Sequence, residues 1–172
     1  MQVPTRRGDK IPRPKADPFM TAEKYEELKA KLHKWKTINR PREAAEVARL
    51  ALMGDFSENT GYQVAKGRLR GLNQRILDLE DLLRRAEIIT PSGETDQVRL
   101  GHSVKIEKTG DKDGAGHFKT YKILGSTESD PLSGIVSHSS PLGAALLGRR
   151  VGETIQIESG GKLTGYKIIR ID

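Results

Sequence analysis

Residues 54–83 read GDFSENTGYQVAKGRLRGLNQRILDLEDLL, and the apolar positions behind the first six decide the fold of the first half. Tyr62, Ala65, Leu69, Leu72, Ile76, Leu79 and Leu83 follow one another in alternating steps of three and four. That is an a/d heptad pattern, which specifies a helix carrying a seam packed against a second helix. The partner is the charged, amphipathic segment just upstream. Gly54-Asp55-Phe56-Ser57-Glu58-Asn59 then forms the bend of a helical hairpin. Two carboxylates sit at its far end.

The upstream segment opens at Thr21-Ala22-Glu23-Lys24, with Thr21 as N-cap and an acid in the first turn. Tyr25, Leu28, Leu32 and Trp35 continue at helical spacing. Pro41 removes a backbone donor and disfavours helix in Arg40, so a kink or short break is expected there. The pattern resumes with Ala44, Val47, Ala48 and Ala51. The second helix is expected from about Ser57 to Ala86, roughly 45 Å long. Residues 1–18, rich in proline, lysine and arginine, read as a flexible basic arm.

Thr90-Pro91-Ser92-Gly93 is a cluster of turn formers, and beyond it the period changes to two. Val98, Leu100, Val104 and Ile106 form one alternating run, and Phe118–Ile123 another. Ile135, then Ile155 and Ile157, then Tyr166–Ile171 complete four or five short strands. Pro141–Gly148 interrupts them as a short helix closed by glycine. The fold class is therefore α+β in two domains: a coiled-coil hairpin over 19–90 and a small α+β domain over 91–172.

Composition agrees with a solvated, helix-rich shape: of the 172 residues 31% are charged, 35% hydrophobic and only 5% aromatic. Residues 1–90 carry 19 Lys and Arg against 13 Asp and Glu, so nearly all of the net charge of +7 belongs to the hairpin half. A basic excess on one element suits an anionic partner, nucleic acid foremost, although a solvated helix face explains such charge equally well. No apolar run approaches the roughly 18 residues that span a bilayer. No signal region and no cysteine are present, and a cytoplasmic location without membrane contact is expected.

Several motifs fail on inspection. Asp111-Lys112-Asp113-Gly114 begins like a calcium loop, but Ala115 and Lys122 occupy ligand positions. Gly160-Gly161-Lys162 lacks the upstream glycine of a phosphate loop. His33, His102, His117 and His138 lack ligand spacing, and Ser139 and Ser140 lack a nucleophile elbow. The chemistry therefore falls to Asp55 and Glu58. Asp-x-x-Glu at a helix start is a common capping pattern, which explains the pair without any function. Two carboxylates at an exposed tip also suit a hard cation such as Mg²⁺, provided that a partner supplies the remaining ligands.

The tip residues Gly54–Asn59 with Tyr62 resemble the tip of the bacterial Gre transcript cleavage factors. Thr21–Leu28 resembles the opening helix of that family, and Arg40-Pro41 its helix break. Ser140–Gly148 with Val151-Gly152-Glu153 resembles its C-terminal signature. The likeness covers about residues 19–172. It implies an FKBP-like C-terminal domain, over 91–172, that docks on bacterial RNA polymerase through Ser140, Pro141, Leu142 and Gly143. It implies too that the coiled coil enters the secondary channel, where Asp55 and Glu58 help hold a Mg²⁺ shared with the polymerase. Phe56, Ser57, Asn59 and Tyr62 support the tip. The protein would be no enzyme alone, binding no cofactor when free, and would stimulate cleavage of backtracked RNA 3′ ends as a monomer.

Tyr62-Gln63 followed by Lys66, Arg68, Leu69 and Arg70 looks closer to the GreB type than the GreA type. Lys66, Arg68 and Arg75 flank the seam and Arg70 faces outward, positions suited to the phosphates of nascent RNA. The bland alternative pairs them with Glu43 or Glu46. Gly61 departs from the family pattern, where an acid is usual, and costs about 1 kcal/mol against alanine. Two other readings stand beside the cleavage factor: a Gre-fold regulator that blocks the channel, and a coiled-coil binding module or chaperone.

Overall fold

The computed structural model describes residues 17–53, 60–90, 93–109, 118–159 and 161–172. Thr21 is extended, and its hydroxyl accepts a hydrogen bond from Lys24 N at 3.2 Å, which starts α1 (Ala22–Lys34). The helix does not end at Lys34. Trp35–Asn39 form one π-helical turn, and the Arg40 N–H donates to Trp35 O, five residues back. α2 (Arg40–Ala51) follows directly.

The break expected at Pro41 is thus absent. Pro41 lies within a continuous helical run, since Asn39 and Arg40 both keep helical dihedrals, and the wider turn before it accommodates the donor that proline lacks. That turn also shifts the buried face by about 100°, the rotation of one residue. Ala44 and Ala48, read as seam positions, are exposed, while Glu43, Val47, Leu50 and Ala51 are half-buried.

α3 (Thr60–Arg84) has 25 residues, about 37 Å of helix. Its a/d series lies along α1 and α2 as the heptads specify. Ala65, Leu72, Ile76 and Leu79 are buried, with Tyr62, Leu69 and Leu83 half-buried. The helix stops two residues before the expected Ala86, because Glu87–Ile88 pair as strand β2 with β1 (Phe19–Met20) in parallel. Asp17 and Pro18, read as the end of a flexible arm, are held: Pro18 O accepts from Glu87 N at 2.8 Å. Met20 is fully buried and closes the base of the hairpin with Leu28 and Leu79.

The second half is a five-stranded sheet in the order β5-β4-β3-β7-β6. The strands are β3 (Ser103–Thr109), β4 (Phe118–Leu124), β5 (Ile135–Ser137), β6 (Thr154–Ser159) and β7 (Lys162–Ile171). Only the β4–β5 pair is parallel, and β3 slips register against β7 between Lys105 and Ile106. One face carries Val104, Ile106, Ile123, Val136, Ile155 and Ile168 and buries them under α4 (Pro141–Leu146). The strand expected at Val98 and Leu100 does not form. Val98 is buried, but its backbone bonds to Gly148 and Arg149 behind α4 instead of to a strand.

Candidate functional site

α2 ends at Ala51 and α3 begins at Thr60. Asp55, Phe56, Ser57, Glu58 and Asn59 lie outside the described residues, so the structure gives only the frame that carries them. On one side the apolar Leu52 and Met53 are 89% and 67% exposed. On the other, Tyr62 is half-buried on the seam, with Lys66 Nζ 5.7 Å from its ring centroid. Such a contact favours a cation over the negative face of the ring.

Charge on α3 is segregated along its length. From Thr60 to Leu77 the helix carries Lys66, Arg68, Arg70 and Arg75 and no acid; Asp78, Glu80 and Asp81 all come later, towards the base. All four cations are exposed. Arg75 Nε donates to Gly71 O at 3.3 Å, within its own helix. The alternative pairing with Glu43 or Glu46 on α2 is not seen as an ion pair among the described residues. Glu46 takes a two-pronged bond from Arg49, at 2.8 and 2.9 Å, one turn along its own helix. That bond is the main cause holding the Glu46 carboxyl below its ordinary value, and the more distant charge of Arg68 adds to it. The distal hairpin therefore offers a positive field to an anion, of the kind that binds phosphate without reading sequence.

The loop leading into α4 is built by its serines. Ser140 caps the helix by accepting from Gly143 N at 3.1 Å, and its hydroxyl donates to Ser137 O at 2.6 Å. The Ser137 and Ser139 hydroxyls lie 2.8 Å apart. Of the four residues read as a docking surface, Pro141 is exposed, Ser140 and Leu142 are half-buried, and Gly143 is buried. Leu142 packs against the sheet core. Pro141, with the exposed Ser139, is what this loop shows to solvent.

A family model described as "Transcription elongation factor, N-terminal" matches residues 18–88. A second, "Transcription elongation factor, GreA/GreB, C-term", matches residues 92–172. The chain belongs to the GreA/GreB family of transcription elongation factors. It is 40% identical over 156 residues to transcription elongation factor GreA of Chelativorans sp. (strain BNC1), covering 88% of this chain and 95% of that one. It is 34% identical over 154 residues to GreA of Macrococcus caseolyticus, covering 88% and 94%. Among solved structures, GreA factor homolog 1 of Thermus thermophilus is 26% identical, covers 86% of this chain and 94% of its own, and superposes with a TM-score of 0.37. Both curated relatives carry the GreA name, and the leaning towards the GreB type finds no support in them.

Sequence reasoning missed Asp17, Thr21 as more than a cap, Gly125 and Glu128, which join the hairpin to the sheet domain. No local pattern announces them, since the bonded partners stand 107 and 109 positions apart. Among the described residues no cluster of three or more His, Asp or Glu is arranged to hold a metal ion, and no helix is long and apolar enough to cross a membrane.

Proposed function

We propose that this Gre-type elongation factor, acting on RNA polymerase, stimulates the polymerase's own cleavage of backtracked RNA 3′ ends. The observation that supports the reading is the long helical hairpin, with Asp55 and Glu58 standing in the sequence between its two arms. The second helix of that hairpin is about 37 Å long, far enough to reach into a deep channel. Asp55 and Glu58 supply hard oxygen donors of the type Mg²⁺ prefers, and two carboxylates complete a site only when a partner supplies the other ligands. Such an ion, when bound, favours hydroxide over water and offsets charge on a phosphodiester. The role of the two acids is then to hold and orient, with the polymerase as the enzyme and this chain turning over nothing alone.

Lys66, Arg68, Arg70 and Arg75 support the same reading. They line the distal helix as exposed cations, suited to the phosphates of an extruded 3′ end. The loop at Ser140–Gly143 is the docking surface on this reading, with Pro141 as its exposed contact. The factor works as a monomer, in the cytoplasm, where its polymerase is.

The test is cleavage of 3′-labelled RNA in stalled, backtracked polymerase complexes with Mg²⁺, with and without the purified chain. Release of short 3′ fragments faster with the chain than without it is the expected result. Tight polymerase binding without faster release would favour a channel-blocking regulator, and absence of binding would overturn the reading altogether.

A further inference from the structure

The root of the hairpin is clasped by the sheet domain at several points within five residues. Thr21 gives both of its donors to one carboxylate: its N–H lies 2.8 Å from Glu128 Oε2 and its hydroxyl 2.6 Å from Glu128 Oε1. Glu128 ends the 3₁₀ turn Ser126–Glu128, which follows β4. A carboxylate from the sheet domain thus sits at the N-terminus of α1, where unpaired N–H groups and the helix dipole favour negative charge. The same Thr21 hydroxyl still accepts from Lys24 N. In return, Asp17 Oδ2 accepts from Ser126 N at 2.8 Å.

Packing closes the clasp. A Cβ on Gly125 would lie 1.8 Å from Phe19 O and 2.8 Å from Phe19 C, so the two backbones meet where only glycine fits. Gly125 has an ordinary extended backbone, and the requirement is space alone. The Phe19 ring meets the His138 ring edge-on, with centroids 5.4 Å apart. His138 belongs to the Ser137–Gly143 loop. The strand that starts the hairpin therefore touches the loop assigned to docking.

We propose that Glu128 is a positioning residue for the tip. It fixes the direction in which α1, and with it the hairpin, leaves the sheet domain. This rests on the function proposed above, because a docked domain can deliver a distant tip only if the joint between them is stiff. Small angular freedom at the root is multiplied along about 37 Å of helix. Misplacement of catalytic groups by about 1 Å costs up to ~10² in rate. Three side-chain atoms at this joint, Asp17 Oδ1, Thr127 Oγ1 and His138 Nδ1, are buried without hydrogen-bond partners. Among the described residues, Glu128 accepts two of the side-chain hydrogen bonds across this joint and Asp17 a third.

The chain lacks cysteine, so Val64→Cys on α3 and Thr154→Cys on β6, both exposed positions, accept spin labels cleanly. Distance distributions between the two labels are measured by pulsed electron resonance in the otherwise unaltered chain, and with Glu128→Ala or Glu128→Gln added. Cleavage by the same proteins is followed at saturating factor, alongside their affinity for polymerase. The proposal expects Glu128→Ala to broaden the distribution and to slow saturated cleavage about tenfold or more, with little change in affinity. Glu128→Gln, which keeps one acceptor, falls between. A distribution as narrow in Glu128→Ala as in the parent overturns the clasp. A broadened distribution with undiminished saturated cleavage overturns the positioning role. If the parent itself stimulates no cleavage, the proposed function fails, and the distances still decide whether Glu128 stiffens the joint.

Discussion

Gly143 lies so close beneath Ser137 that a Cβ at position 143 would stand 2.0 Å from the Ser137 carbonyl oxygen. That oxygen also accepts the Ser140 hydroxyl at 2.6 Å, so the loop and the first turn of α4 are pressed together around it. Gly143→Ala must push the loop away. We expect about 1–3 kcal/mol of destabilisation, as for overpacking a closed core, read as a lower urea midpoint with weaker polymerase binding.

The hairpin seam makes a second prediction. Ile76 is 5% exposed at a heptad position of α3. Ile76→Ala should cost about 2–5 kcal/mol, the usual loss for a buried large-to-small change. Leu77→Ala, one residue on and 59% exposed, is the control, expected within about 0.5 kcal/mol. Thermal melts of the two variants check both.

The seam was legible because heptad spacing is a local signal, and Asp55 and Glu58 stood out because the helices on either side frame them. The π-helical turn was not legible. Pro41 announced a disturbance, but whether a helix breaks or widens depends on α3 packed alongside, which no local pattern describes. The error at Val98 and Leu100 has a similar origin. Their alternation matched a strand, yet the backbone there bonds to the turn at Gly148 and Arg149. The clasp at Thr21 and Glu128 was invisible for a plainer reason: hydrogen bonds across 107 positions leave no spacing to read.

Asn39 supplies a third prediction. Its Oδ1 is buried without a hydrogen-bond partner, inside the π-helical turn. An unsatisfied buried polar atom costs about 1–3 kcal/mol. Asn39→Leu should therefore stabilise the hairpin, raising the melting temperature by a few degrees. An unchanged or lower value would contradict this.

Asp130 gives a dependence on pH. The Ser133 hydroxyl, at 2.6 Å, is the main cause holding its carboxyl below the ordinary value. The N–H groups of Leu132 and Ser133 add to the effect, and partial desolvation opposes it. A depressed folded value means stabilisation that is present above the unfolded Asp value, near 3.9, and lost as pH falls through the folded one. The urea midpoints of parent and Asp130→Asn should differ at pH 7, begin to approach each other below about pH 3.9 and meet only below the lowered folded value.

On the proposed function Asp55 and Glu58 assist the polymerase. The decisive measurement is the rate of 3′-end cleavage in backtracked complexes saturated with factor, comparing the parent chain with Asp55→Ala plus Glu58→Ala. Equal occupancy is verified by competition binding. The parent should accelerate cleavage and the double variant, equally bound, should not. Undiminished acceleration by the variant would contradict that role.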